Sequence, residues 1–134
     1  MAGRFFDTNV ALYLASSDPQ KADRAEAVIA TGGTISVQVL NEIANVLRRK
    51  MQMSWPDTYL FLDMIRALLT VEPVTVATHE MGLAVSERYG ISIYDAMIVA
   101  AALLAGCDTL LSEDMQDGLV IDDVLRIVNP FRQP

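Results

Sequence analysis

Short apolar runs alternate along this chain with longer stretches whose apolar residues recur at three- and four-residue spacing, the pattern of strands interleaved with amphipathic helices. Residues 4–7, Arg-Phe-Phe-Asp, read as a first strand running straight into Thr8, Asn9 and the helix-like stretch 10–15. Asp18-Pro19 starts a second helix that runs to about Ala30, with proline in the favoured first turn, and Gly32-Gly33 end it. Residues 34–36 predict a second strand, followed by a helix over 37–49; Ser54-Trp55-Pro56 open another that reaches about Leu69. A third strand is expected over 71–76. Thr78 then begins a helix to Tyr89 that Gly90 stops, and Ile91-Ser92-Ile93 lead into a helix over 94–104 terminated by Gly106. Residues 109–112 and 124–128 complete about five strands.

Strands alternating with helices at this spacing imply right-handed crossovers. The predicted fold class is α/β, a three-layer α/β/α sandwich around a central, mostly parallel sheet. No linker, repeat or low-complexity stretch divides residues 1–134, so one domain is expected, and 52% hydrophobic content is ample for its core.

Four carboxylates stand out against this framework. Asp7 ends the first strand, and open α/β sheets form their ligand crevice at the carboxyl ends of strands. Glu42 lies in the 37–49 helix, Asp95 heads the 94–104 helix, and Asp114 follows the 109–112 strand. Converging on one crevice, they would make a divalent-metal site. Taken singly, most have a plain structural explanation: Asp7 and Asp95 sit where acids favour helix starts, and Asp114 is an ordinary turn residue. Glu42 is harder to explain this way, because it adjoins the apolar face of Val39, Leu40, Ile43, Val46 and Leu47, where an unpaired charge is costly.

Net charge is −7, with 17 acidic against 10 basic residues, which disfavours nucleic-acid binding driven by the phosphate backbone. Divalent cations on the four acids would offset part of that excess. The basic run Arg48-Arg49-Lys50 ends a helix, where cations suit the helix dipole. No apolar run approaches the roughly 18 residues of a membrane span, and the N-terminus lacks a signal-peptide pattern, so no membrane association and a cytoplasmic location are expected. The single cysteine, Cys107, excludes an intramolecular disulfide framework and reads as a small core hydrophobe. His79, the only histidine, reads as a surface residue at a helix start. Gly32-Gly33 match no phosphate-binding loop, and the loop 114–118 fails the calcium-loop pattern because Gln116 and Asp117 are out of phase.

Phe-Phe-Asp-Thr-Asn-Val at 5–10, Ser-Val-Gln-Val-Leu-Asn-Glu at 36–42, Tyr-Asp-Ala-Met-Ile-Val-Ala-Ala-Ala at 94–102 and Cys-Asp-Thr-Leu-Leu-Ser-Glu-Asp-Met-Gln-Asp-Gly at 107–118 resemble the PIN-domain family. The resemblance is strongest to the VapC-type toxins of bacterial toxin–antitoxin pairs and extends to the Ile-Val-Asn-Pro-Phe at 127–131. It implies a Mg²⁺- or Mn²⁺-dependent endoribonuclease, forming a homodimer and held inactive by a cognate antitoxin protein. The family's acids fall on Asp7, Glu42, Asp95 and Asp114, with Asp7, Asp95 and Asp114 the expected metal ligands and Glu42 a further ligand or an orienter of water. Hard cations suit this set, since they prefer carboxylate and water oxygens and can activate a water for in-line attack on phosphorus. Thr8, Asn9 and Ser112 would fix carboxylate rotamers or hydrogen-bond a bound water. One departure is Asp117, where many relatives carry histidine; an acid there would touch metal indirectly or repel phosphate.

The residues also bear on two other classes of function. A phosphotransferase with Asp7 as nucleophile would want a second Asp at position 9, which is Asn, and a lysine partner, yet no Lys follows Lys50. The other is a non-catalytic binding module, whose acidic crevice would receive arginines from a basic partner segment.

Overall fold

In a computed structural model describing residues 3–132, the chain forms one mixed sheet flanked by helices. In order these are strand β1 (Gly3–Phe6), helix α1 (Thr8–Leu12) with a 3-10 turn at Tyr13–Ala15, helix α2 (Pro19–Ile29), β2 (Thr34–Ser36), α3 (Val37–Arg49), α4 (Trp55–Leu68), β3 (Thr70–Glu72), α5 (Val76–Tyr89), α6 (Ile93–Leu104), β4 (Cys107–Leu111), β5 (Val120–Ile121) and β6 (Leu125–Val128). The sheet order is β3-β2-β1-β4-β6-β5, parallel throughout except for the β5–β6 pair. The α/β class and the mostly parallel sheet agree with the sequence expectation, but the described residues form six strands instead of about five. The additional one, β5, is two residues long, too short to leave a period-two signal.

Several boundaries also differ; β4, for one, starts at Cys107, two residues ahead of the expected Thr109. The third strand is Thr70–Glu72 and stops before Pro73, which has no N–H for a ladder. Helix α5 accordingly begins at Val76, ahead of the expected Thr78. Thr75 and Thr78 cap it reciprocally: the Thr75 hydroxyl accepts from the Thr78 N–H at 3.3 Å, and the Thr78 hydroxyl accepts from the Thr75 N–H at 3.0 Å.

Central strands in such sheets are covered on both faces and read as continuous apolar runs. Phe5 and Phe6 are therefore both fully buried, each contributing about 1.5–3 kcal/mol by leaving water. Helix α6 is buried from Ala96 to Ala102, and its small side chains admit close neighbours. Against it lies Gly82 of α5, where a Cβ would stand 2.5 Å from the Met97 sulfur. Cys107 is buried, His79 is exposed, and Arg48 stacks 4.2 Å over the Trp55 ring, giving that basic run an architectural partner. No helix among the described residues is long and apolar enough to cross a membrane.

Strand order reverses between β1 and β4, since the chain builds β2 and β3 on one side of β1 and later adds β4 and β6 on the other. A crevice at the carboxyl ends of strands is expected at such a switch point. Register there pairs Phe6 with Leu111, and one more hydrogen bond, from the Asp7 N–H to the Leu111 carbonyl at 2.9 Å, carries the ladder past the strand end.

Candidate functional site

Asp7 leaves β1 at this switch point and caps α1, accepting from the Thr8 N–H at 2.7 Å. Its other oxygen accepts from the Ser112 hydroxyl at 2.7 Å, across from the end of β4. Asp7 is only 5% exposed and Ser112 is fully buried. Burial pushes the Asp7 carboxyl up to about 6; the Ser112 and Thr8 hydrogen bonds oppose the rise, and the charges of Asp95 and Glu42 add to it.

Glu42 lies half-buried between the first turn of α1 and its own helix. One oxygen accepts from the Thr8 hydroxyl at 2.6 Å and the other from the Gln38 amide at 2.8 Å, so the costly charge inferred beside the α3 apolar face is met by two donors. Gln38 stands four residues earlier on α3, on the same helical face, and also donates to the Tyr94 carbonyl at 3.1 Å. This residue was not singled out from sequence, although the four-residue spacing to Glu42 was a usable signal.

Asp95 occupies the first turn of α6, whose N-cap Ser92 accepts from the Asp95 N–H at 3.3 Å. Burial raises its carboxyl above the usual range, Ser92 opposes the rise, and the charges of Asp114 and Glu42 add to it. Asp114, exposed in the loop after β4, accepts a hydrogen bond from the Asn9 amide. The four acids thus come from the ends of β1 and β4, the body of α3 and the start of α6; Asp7 feels the charges of Asp95 and Glu42, and Asp95 those of Asp114 and Glu42.

Next to Asp114, Glu113 is bound by the Lys21 ammonium and the Tyr13 hydroxyl. Desolvation alone would raise the Glu113 carboxyl, but these two partners outweigh it and leave it below the usual range. Lys21 also lies 4.6 Å over the Tyr13 ring and 4.9 Å over that of Phe131. Nothing in the sequence announces this group, whose members are 8 to 118 residues apart along the chain. Asp117 stands apart from the acids: it accepts from the Asn129 N–H and from the Arg132 guanidinium, both at 2.8 Å, and these hold its carboxyl low.

The donor set is entirely oxygen, anionic and hard, which is the chemistry of Mg²⁺ and Mn²⁺ sites. Among the described residues no three Asp, Glu, His or Cys side chains are grouped closely enough to hold an ion directly. Asp7, Glu42 and Asp114 are turned instead to Ser112, Thr8, Gln38 and Asn9. A small hard cation keeps several waters and needs only one or two carboxylates, so these residues fit an ion held largely through water.

The fold has relatives among solved structures. A toxin–antitoxin complex from Klebsiella pneumoniae superposes with a TM-score of 0.70 at 22% identity, covering 95% of this chain and 97% of that one. VapC20 of Mycobacterium tuberculosis, described as a sarcin-ricin loop cleaving toxin, gives 0.67 at 21% identity over 83% of this chain and 91% of that one. VapBC2 from Rickettsia felis, solved with a DNA fragment of its promoter, gives 0.63 at 18% over 83% and 87%. No curated protein matches the chain. The PIN domain model, however, matches residues 4–116, a span that begins in β1 and holds Asp7, Glu42, Asp95 and Asp114. The chain therefore belongs to the PIN-domain family.

Proposed function

We propose that the protein is a divalent-metal-dependent endoribonuclease that acts as the toxin of a toxin–antitoxin pair. The observation that most supports this reading is the electrostatic coupling among the acids beside the switch point: Asp7 is raised by burial and by the charges of Asp95 and Glu42, and Asp95 by burial and by those of Asp114 and Glu42. Such crowding of like charge in a crevice is costly without a counter-ion, and perturbed acids of this kind mark functional sites. Family membership and the fold shared with toxin–antitoxin proteins support it.

In this reading Asp7, Asp95 and Asp114 would hold Mg²⁺ or Mn²⁺, largely through water, and the ion would supply activation of a water and neutralisation of charge on the phosphodiester. Glu42, fixed by Thr8 and Gln38, orients the attacking water and takes up its proton. Ser112 and the Thr8 N–H fix the Asp7 rotamer, and Asn9 fixes that of Asp114. Asp117, neutralised by Arg132, leaves incoming phosphate unopposed. The cytosol, a homodimer and a cognate antitoxin complete the proposal. The exposed apolar residues Trp55, Tyr59, Leu60, Met64 and Leu68 along α4 offer surface for protein contacts.

A second reading, a non-catalytic module receiving a partner's arginines, is favoured by one observation: the carboxylates are already hydrogen-bonded and form no direct ion cage among the described residues. Cleavage of a mixed-sequence structured RNA with Mg²⁺, Mn²⁺ or EDTA, beside Asp95→Asn of equal folded stability, separates the two. Metal-dependent cutting lost in the variant is expected. No cutting together with no ion binding by calorimetry overturns the nuclease in favour of the module.

A further inference from the structure

Beside the acids, and sharing Glu42 with them, lies an open hollow of about 430 Å³ walled by Val37, Gln38, Asn41, Asn45, Val74, Tyr94 and Met97. Its volume falls in the range of about 300–1,000 Å³ typical of small-ligand sites. The Tyr94 side chain is 76% exposed, although it immediately precedes the half-buried Asp95. A large aromatic ring left to solvent at the rim of a charged crevice has no packing role to account for it. Gln38, Asn41 and Asn45 recur at three- and four-residue steps, so their amides share one face of α3; the Gln38 N–H groups are taken by Glu42 and the Tyr94 carbonyl, leaving its oxygen, while Asn41 and Asn45 each offer donor and acceptor. Among the described residues no cationic side chain lines the hollow, which makes it unsuited to a phosphate. Aromatic and apolar walls with neutral amides suit a nucleobase, whose flat face stacks and whose edge hydrogen-bonds.

We infer that this hollow receives one unpaired RNA base adjoining the phosphodiester to be cut, stacked on Tyr94 and read at its edge by the α3 amides. The inference rests on the nuclease reading above and narrows its substrate to RNA presenting an unstacked base, a state found in loops, bulges and ends. Tyr94 is a specificity residue here, acting on the nucleotide next to the reacting phosphate. Asn41 and Asn45, both exposed and free of the acid network, contribute base choice.

The test mixes full-length protein in Mg²⁺ with short single-stranded RNAs carrying one 2-aminopurine flanked by each of the four bases. Fluorescence is read on mixing and strand scission afterwards on the same samples. Wild type and Tyr94→Phe are expected to quench the 2-aminopurine, while Tyr94→Ala, folded to the same melting temperature, binds about ten- to a hundredfold more weakly with the quenching lost. Asn45→Ala is expected to flatten the preference among the four flanking contexts. Cutting with equal quenching in wild type and Tyr94→Ala overturns the inference and leaves the nuclease intact. Quenching that depends on Tyr94 without any scission, and with no Mn²⁺ binding by calorimetry, upholds the base site and overturns the nuclease. No quenching by wild type overturns the inference and leaves the hollow to an apolar peptide segment.

Discussion

The Ser112 hydroxyl donates to the Asp7 carboxylate at 2.7 Å, tying the ends of β1 and β4 together across the point where strand order reverses. The same hydroxyl accepts from the Met115 N–H at 3.2 Å, so one buried side chain fixes both the Asp7 rotamer and the start of the loop that carries Asp114. Ser112→Ala removes a hydrogen bond to a charged partner and is expected to cost about 1.5–3 kcal/mol at pH 7.5, measured by urea unfolding. It also lifts the Asp7 carboxyl further, so half-maximal Mn²⁺ binding moves to higher pH. An unchanged urea midpoint would remove Ser112 from this role.

Asp7 gives the free protein a defined pH dependence. Between 3.8 and about 6 the folded chain binds its proton more tightly than the unfolded chain, so stability falls as pH rises through that window and is level above it. The gap corresponds to about 3 kcal/mol. Asp7→Asn, which keeps the shape and removes the buried charge, is therefore expected to melt higher than wild type at pH 7.5 by about 1–3 kcal/mol of stability, with no advantage at pH 3.5. Thermal melts in EDTA at the two pH values check it; a variant less stable at both would refute the sign.

Divalent cation should reverse that trend. An ion bound only by the folded state adds about 2.7 kcal/mol at a hundredfold excess over its Kd. Because it competes with the Asp7 proton, the gain in melting temperature from Mn²⁺ is expected to be larger at pH 7.5 than at pH 5, and EDTA to abolish it. Asp7→Asn should show little gain at either pH.

Ion pairs of unequal burial should contribute unequally. Lys21–Glu113 has side chains 32% and 23% exposed, and Tyr13 shares the carboxylate, whereas Arg88–Asp122 is 72% and 41% exposed at 3.3 Å. Double-mutant cycles are expected to give a coupling of about 1 kcal/mol for the first and below about 0.5 kcal/mol for the second. Equal couplings would mean that the aromatic surroundings of Lys21 add nothing.

Gly82 lies where α5 packs on α6. A Cβ there meets the Met97 sulfur at 2.5 Å and its methyl at 2.8 Å, so Gly82→Ala must displace Met97, which walls the hollow beside Glu42. Because the displaced atoms are the far end of a flexible side chain, and alanine favours a helix over glycine by about 1 kcal/mol, a net loss below about 1 kcal/mol is expected, partly restored by a second change, Met97→Ala. Failure of that second change to restore any stability would place the strain elsewhere.

The chain's own pattern determined the class of fold and most of its punctuation. Period-two and period-3.6 runs, Pro19, the Gly32-Gly33 pair, Gly90 and Gly106 are local signals, and the elements they mark occur where expected. They are legible because propensity, caps and chain stiffness act over a few residues. The two-residue β5 was not legible, nor was the early start of α5 at the Thr75–Thr78 cap, because one has no period and the other hides behind strand-like Val74 and Val76. The sequence also nominated Asp7, Glu42, Asp95 and Asp114, yet it could not say what each touches. Tertiary structure decided that Ser112 meets Asp7, that Thr8 meets Glu42, that Lys21 is bound to Glu113, and that Asp117 turns to Arg132. Those contacts join residues up to 105 positions apart, and only parallel strand register and crossover handedness bring such distant segments to one crevice.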